Sequence, residues 1–143
     1  MCTRKDNNKA EYLLQQRLKQ PYYGFYGFVS GKITWGETTT ETAARELKEE
    51  TGLSAKLTLV GIEHKIDYSK NNKLLEDKFF FIFRGENTNG TLVKKFKGGK
   101  NIWLTKNKIH SIDKIFKDVQ KIISVVNQNN LTFIEKKYKE ETY

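Results

Sequence analysis

Glu46, Glu49 and Glu50 lie inside the one stretch of this 143-residue sequence whose helical character is signalled at both ends. Thr38, followed three residues later by Glu41, has the form of a capping box, in which hydroxyl and carboxylate each satisfy a backbone N–H of the other residue. Ala43, Ala44 and Leu47 supply an apolar stripe at helical spacing. Gly52 stands where the residue past a helix end turns left-handed. The expected helix runs from Thr39 to Thr51.

On that helix the three glutamates fall at i, i+3 and i+4, so their carboxylates share one face, opposite the small apolar stripe. Like charges at that spacing repel. Arg45 is one turn from both Glu41 and Glu49 and can pair with each, but one arginine does not neutralise the cluster. A hard divalent cation does, because Mg²⁺ takes oxygen ligands, commonly one or two carboxylates completed by water and substrate phosphate. Such an ion withdraws charge from phosphorus and lowers the pKa of a bound water, and a further carboxylate can accept the water's proton. The glycines before the helix let backbone groups approach metal and phosphate closely. These parts together point to water attack on a diphosphate.

The segment Gly31, five residues, Glu37, seven residues, then Arg45-Glu46-Leu47-Lys48-Glu49-Glu50-Thr51-Gly52-Leu53 resembles the Nudix box, G-x5-E-x7-R-E-U-x-E-E-x-G-U with U aliphatic, and meets all nine fixed positions. The resemblance implies an α/β (α+β) fold, the Nudix α/β/α sandwich with a mixed central sheet. It also implies roles within the box at residues 31–53. Glu49 and Glu50 would be direct metal ligands with the Gly31 carbonyl, and Glu46 would bind the metal or its water and is one candidate general base. Glu37 and Arg45 would mainly hold the loop and helix in shape by ion pairing, and Gly52 is a structural position of the motif. The implied cofactor is Mg²⁺, with Mn²⁺ as a substitute. Further catalytic carboxylates in the family come from outside the box, and Glu76, Asp77 and Glu86 are the options here. Val29-Ser30 replaces the Pro-Gly pair many members carry. Only Met1 to Arg4 precedes the first turn, so the family's first strand is expected to be truncated.

Outside the motif, Ala10 to Arg17 reads as a strand after the polar turn Lys5 to Lys9. Ala55 to Asp67 and Asp77 to Arg84 read as strands joined by the turn Ser69 to Lys73. Gly85 to Gly90 reads as loop, Thr91 to Phe96 as a further strand, and Ile102 to Leu104 as a short one. Ile112 to Val126 has the apolar period of a second amphipathic helix, and Leu131 to Tyr143 reads as a short helix or frayed tail. No repeat or linker interrupts the chain, so one domain over 1–143 is expected.

The net charge of +9 is uneven: Thr91 to Tyr143 holds twelve lysines against five acids, whereas Glu37 to Glu50 holds five glutamates against Arg45 and Lys48. The basic half suits anionic partners, or is simply a solvated face. The single Cys2 excludes an intramolecular disulfide and a cysteine zinc cluster. Met1 to Ala10 is too polar for a signal peptide and no apolar run reaches bilayer length, so a cytoplasmic protein without membrane partners is expected. Tyr22, Tyr23, Phe25, Tyr26, Phe28 and Trp35 either pack in the core or stack on a nucleobase. Arg17 and Lys32 are placed to meet phosphate, with Phe28 and Trp35 the aromatic candidates for substrate contact. His64 and His110 show no catalytic pattern.

The function expected is Mg²⁺-dependent hydrolysis of a diphosphate linkage in a nucleoside diphosphate derivative, whether a nucleoside triphosphate, a nucleotide sugar or a dinucleoside polyphosphate. Two alternatives remain: a hydrolase of capped or triphosphorylated RNA ends, which the lysines of Lys94 to Lys108 would suit, and a nucleotide- or RNA-binding module without turnover. The partner is a small nucleotide-like molecule in the main reading. A homodimer stays open.

Overall fold

A computed structural model of the chain describes residues 1–139. The chain opens with a tight hairpin. Strand β1 (Thr3–Asp6) pairs antiparallel with β2 (Lys9–Arg17), and Asp6 faces Lys9 across a two-residue turn. Asn7 and Asn8 both have positive φ, 45° and 60°, as a turn matching the twist of the flanking strands requires. The first arm is therefore a four-residue strand reaching Asp6, because the asparagines confine the turn to two residues.

Strand β2 is the centre of the molecule. Tyr12, Leu13 and Leu14 are all buried, although successive strand residues point to opposite faces. Both faces must therefore be covered. Leu13 packs in one cluster with Cys2, Leu47 and Leu53, on the side of helix α1 (Thr39–Thr51). Tyr12 and Leu14 pack in another with Leu104, Ile109, Val119 and Ile123, on the side of α2 (Lys106–His110) and α3 (Val119–Val126). The sheet thus lies between helices, as the motif implied.

Around β2 the strand order is β1-β2-β7-β6, with β3 (Tyr26–Gly27) on the same edge of β2 as β1, β6 at Lys95–Phe96 and β7 at Gly99–Thr105. A second sheet has the order β5-β4-β8, in which β4 (Ser54–Tyr68) and β5 (Leu74–Asn89) form a long antiparallel hairpin and β8 (Thr132–Lys139) runs parallel to β4. A parallel bridge between Cys2 and Gly85 joins the two sheets. Cys2 is buried there, which pushes its thiol pKa up.

Four expectations are corrected. Residues 132–139 form a strand, not a helix or tail, because β4 offers them an unpaired edge that no local pattern announces; residues 140–143 lie outside the described residues. Residues 85–89 belong to β5, with Glu86 opposite Lys56 and Asn89 opposite Ser54, and a register shift between those pairs absorbs the extra residue. Thr91–Phe96 is strand only at Lys95–Phe96. The second helix is confined to Val119–Val126 because Tyr26 takes the backbone of the preceding segment: its N–H donates to Lys114 O at 2.8 Å and its carbonyl accepts from Phe116 N at 3.0 Å. Those groups cannot also serve an α-helical ladder.

Among the described residues no helix is long and apolar enough to cross a membrane.

Candidate active site

Helix α1 starts and stops on its own side chains. Thr38 Oγ1 accepts from Glu41 N at 3.2 Å while Glu41 Oε2 accepts from Thr38 N at 2.8 Å, a reciprocal cap. These contacts hold the Glu41 carboxyl below its ordinary pKa. They also explain why Arg45 does not pair with Glu41 as the spacing suggested: that carboxylate is turned back to the helix start. At the other end Gly52 is left-handed, φ 74°, and its N–H donates to Lys48 O at 2.9 Å.

The buried side of α1 is Thr42, Leu47 and Thr51; Ala44 is exposed. The apolar stripe is therefore rotated from the expected one, since Leu47 rather than the alanines has enough surface to fill the space over Leu13. The rotation brings Glu46 and Glu50 to the border between helix and sheet and leaves Glu49 outermost. The side chains of Glu46 and Glu49 are 18% and 59% exposed.

Arg45 is the hub. Its Nε donates to Glu37 Oε1 at 2.7 Å and its Nη2 to Glu37 Oε2 at 3.0 Å, a bidentate pair. Nη1 reaches Glu46 at 2.9 Å and Glu49 at 3.3 Å. Nη2 also reaches Lys32 O at 3.3 Å and Thr34 Oγ1 at 3.2 Å, so one guanidinium ties the loop to the helix. The Arg45 hydrogen bond, backed by those from Thr42 and Thr34, holds the Glu37 carboxyl at about 2. A depressed carboxylate pKa means that this anchorage is complete above the ordinary 4.5 and is lost only as pH falls through about 2. In a carboxyl-carbon NMR titration Glu37 is expected to move near pH 2; a midpoint at the ordinary value would show that the ion pair is absent in solution.

Glu50 is held from the sheet. Gln15 Nε2, on β2, donates to Glu50 Oε2 at 2.9 Å and to Asn101 Oδ1 at 3.1 Å. Asn101, buried opposite Gln15 on β7, donates through Nδ2 to Glu50 O at 2.8 Å and Val93 O at 2.7 Å. Burial raises the Glu50 pKa, Gln15 opposes that shift, and the charges of Glu46 and Glu49 add to it. Neither Gln15 nor Asn101 was singled out in the sequence. The available signal was polarity in an inward row: Leu13 and Gln15 alternate onto one face of β2, where an apolar residue would be expected at the second position.

Gly31 sits against this face. A Cβ there would overlap Glu46 Cδ, Cγ and Oε1, so a side chain at 31 and the observed Glu46 rotamer exclude each other. Bare backbone beside a carboxylate row is an all-oxygen, hard donor set. Among the described residues no three acidic, histidine or cysteine side chains close on a single point. Mg²⁺ needs only one or two carboxylates when water and phosphate complete its octahedron, so the residues fit such an ion.

The remaining candidates are dispersed. Arg17 donates from Nε to Pro21 O at 2.6 Å and to Lys19 O at 3.1 Å, bracing the adjacent loop. Phe28 packs against the α3-side core. Lys32 and Trp35 are exposed on the motif loop. Glu76 pairs with Lys78, Asp77 with His64 at 2.8 Å, and Glu86 with Arg84 at 3.4 Å. Those three carboxylates are thus engaged along β4 and β5.

A sheet between helices, with a glycine loop bolted by an Arg–Glu pair to a carboxylate-bearing helix, defines a Nudix domain. The family model for the NUDIX domain matches residues 2–125, and the chain belongs to the Nudix family. Over 59 residues it is 41% identical to the ADP-ribose pyrophosphatase of Methanocaldococcus jannaschii, a stretch that covers 41% of this chain and 33% of that protein. The match thus spans about a third of that relative's length. The structure is similar to that of the mutator MutT protein from Bacillus halodurans, with TM-score 0.73 and 27% identity over 93% of this chain and 86% of the other. The NUDIX domain of Shewanella oneidensis NrtR, solved with ADP ribose, shares the fold at TM-score 0.68 and 16% identity, over 86% and 79% of the two chains.

Proposed function

We propose that this chain hydrolyses the diphosphate linkage of a nucleoside diphosphate derivative, using a divalent cation on the face of α1. The observation that carries the reading is that Glu46, Glu49 and Glu50 are held on one face of α1 by Arg45 on one side and Gln15 on the other, although burial first, and then the charges of Glu46 and Glu49, oppose ionisation of Glu50. A fold retains mutually repelling carboxylates at one place when function requires them there. Membership of the Nudix family and the partial match to an ADP-ribose pyrophosphatase support it.

One or two carboxylates of the set Glu46, Glu49 and Glu50, with the Gly31 carbonyl, would hold Mg²⁺, or Mn²⁺ in its place. The ion would supply charge neutralisation at phosphorus and an acidified water. The protein's own groups do the remainder. The loop 31–37 sets the approach of the phosphates, Arg45 fixes loop and helix relative to each other, and Gln15 fixes the Glu50 rotamer. Water oxygen forms a bond to one phosphorus, the bridging oxygen departs with the other phosphate, and the water's proton passes to a carboxylate, for which Glu46 is the candidate. The products are two phosphate monoesters from a nucleotide sugar or ADP-ribose, a nucleoside monophosphate and pyrophosphate from a triphosphate, and two nucleotides sharing the phosphates from a dinucleoside polyphosphate.

A panel of nucleoside triphosphates, nucleotide sugars, ADP-ribose and dinucleoside polyphosphates, incubated with and without Mg²⁺, tests this. A nucleoside monophosphate should appear with at least one compound and vanish with EDTA. Turnover unaffected by chelation would refute the cation's role, and no product from any compound would favour a binding module. The exposed Lys94, Lys95, Lys97 and Lys100 favour RNA ends as a second reading. Activity on RNA would then fall steeply with salt, whereas a small-molecule site responds less.

A further inference from the structure

Trp35 is fully exposed, at 101% of its reference area, and packs on nothing. The chain's other tryptophan is treated differently: Trp103 packs against the α1-side core under Arg4, whose guanidinium lies 4.6 Å from its ring centre. Leaving an indole in water forgoes one of the largest apolar burials a side chain can make. A floppy loop could explain this, but loop 31–37 is pinned on both sides of Trp35. Glu37 N donates to Thr34 O at 3.0 Å, closing a turn in which Trp35 and Gly36 are the central residues, and Gly36 has φ +87°. Arg45 Nη2 grips Lys32 O and Thr34 Oγ1 before the indole, and its bidentate pair grips Glu37 after it. The same guanidinium touches Glu46 and Glu49. The indole is therefore held out on the same rigid unit as the carboxylate face, with exposed Lys32 and Ile33 beside it.

We infer that Trp35 is the stacking platform for the nucleobase of the substrate, and that the preferred substrates are purine nucleoside diphosphate derivatives. This rests on the hydrolytic reading above. An exposed π-face accepts any base and ranks ligands by stacking area, so purines bind ahead of pyrimidines and base-free diphosphates come last. Lys32 is placed to meet phosphate or ribose oxygens.

The test uses the full chain, Trp35→Ala, and Trp35→Phe as the aromatic rescue. For a purine substrate, Trp35→Ala should raise KM about tenfold, the range expected for the loss of one stacked base, with kcat little changed and the melting temperature unaffected. Trp35→Phe should recover most of the loss, and the purine-over-pyrimidine preference should collapse in the alanine variant. Titration with adenosine monophosphate in EDTA should quench the intrinsic fluorescence of the wild type, whereas ribose 5-phosphate should not. An unchanged KM in Trp35→Ala, equal quenching by ribose 5-phosphate, or a fluorescence change with anionic lipid vesicles in place of nucleotides would overturn the inference. Its failure is separable from that of the hydrolytic reading. Quenching by the nucleotide with no turnover of any diphosphate would strike the chemistry and leave the platform standing. Magnesium-dependent hydrolysis indifferent to Trp35→Ala would strike the platform alone.

Discussion

Glu50→Gln and Glu49→Gln should each lower kcat/KM on the best substrate by about a hundredfold or more, the scale expected when a metal ligand or proton-transfer group loses its charge, and neither should lower the melting temperature. The shape of the side chain is retained, and a glutamine oxygen at 50 can still accept from Gln15. Only charge is removed. Burial and the repulsion of Glu46 and Glu49 already oppose ionisation of Glu50, so neutralising it should leave the fold as stable or slightly more so. Glu49 is largely exposed and its contact to Arg45 is long, at 3.3 Å, and an exposed pair of this kind contributes little to stability. Loss of turnover at undiminished thermal stability separates a functional carboxylate from a structural one. Wild-type rates in both variants would show that the α1 face is not where the chemistry occurs. A parallel fall in activity and melting temperature would mean that these carboxylates hold the helix in place.

The second large effect is on stability and concerns Gly52. Its φ of 74° is left-handed, and a Cβ there would stand 2.6 Å from Thr91 O. The first feature alone costs a non-glycine residue roughly 1–2 kcal/mol. The second cannot be relieved by a rotamer change, because the obstacle is backbone, tied to the helix end through Val93 N donating to Thr51 O at 2.9 Å. Gly52→Ala should therefore destabilise by roughly 2–4 kcal/mol, with the melting temperature lower by roughly 6 °C or more for a chain of this size. Thermal unfolding followed by circular dichroism measures it. A fall of only about 2 °C would show that loop 90–93 yields freely and that the helix end is not clamped. Glu49 and Glu50 lie in the last turn before this glycine, so some activity should be lost as well.

Helix α1 was legible because its signals are local. Thr38, Glu41 and Gly52 each act within one turn of their own position, and their types alone mark start and stop. The same locality misled elsewhere. Arg45 and Glu41 are one turn apart, but the cap takes that carboxylate, and the bidentate partner is Glu37, eight residues away across the loop, which the family resemblance implied and helix spacing alone does not. Apolar periodicity over residues 112–126 is real, yet the backbone of Lys114 and Phe116 is taken by Tyr26. Strand β8 depends on a parallel edge supplied by β4, some seventy residues earlier in the chain. Gln15 and Asn101 were missed for the same reason. A glutamine in a strand is unremarkable until the glutamate it orients is known, and that glutamate belongs to a different element.

Asn101 has a kinetic consequence as well. Its one carboxamide engages the last turn of α1 through Glu50 O, the following loop through Val93 O, and the sheet through Gln15. Sliding the helix against the sheet would break the Asn101 bonds to Glu50 O and Val93 O together with the Gln15 bond to the Glu50 carboxylate, so slow opening and closing of the carboxylate face is an unfavourable gate. Any conformational step that limits turnover should instead arise in segments outside this clamp. In that arrangement chemistry and product release would be governed by different parts of the chain, and the speed of one could change without disturbing the other.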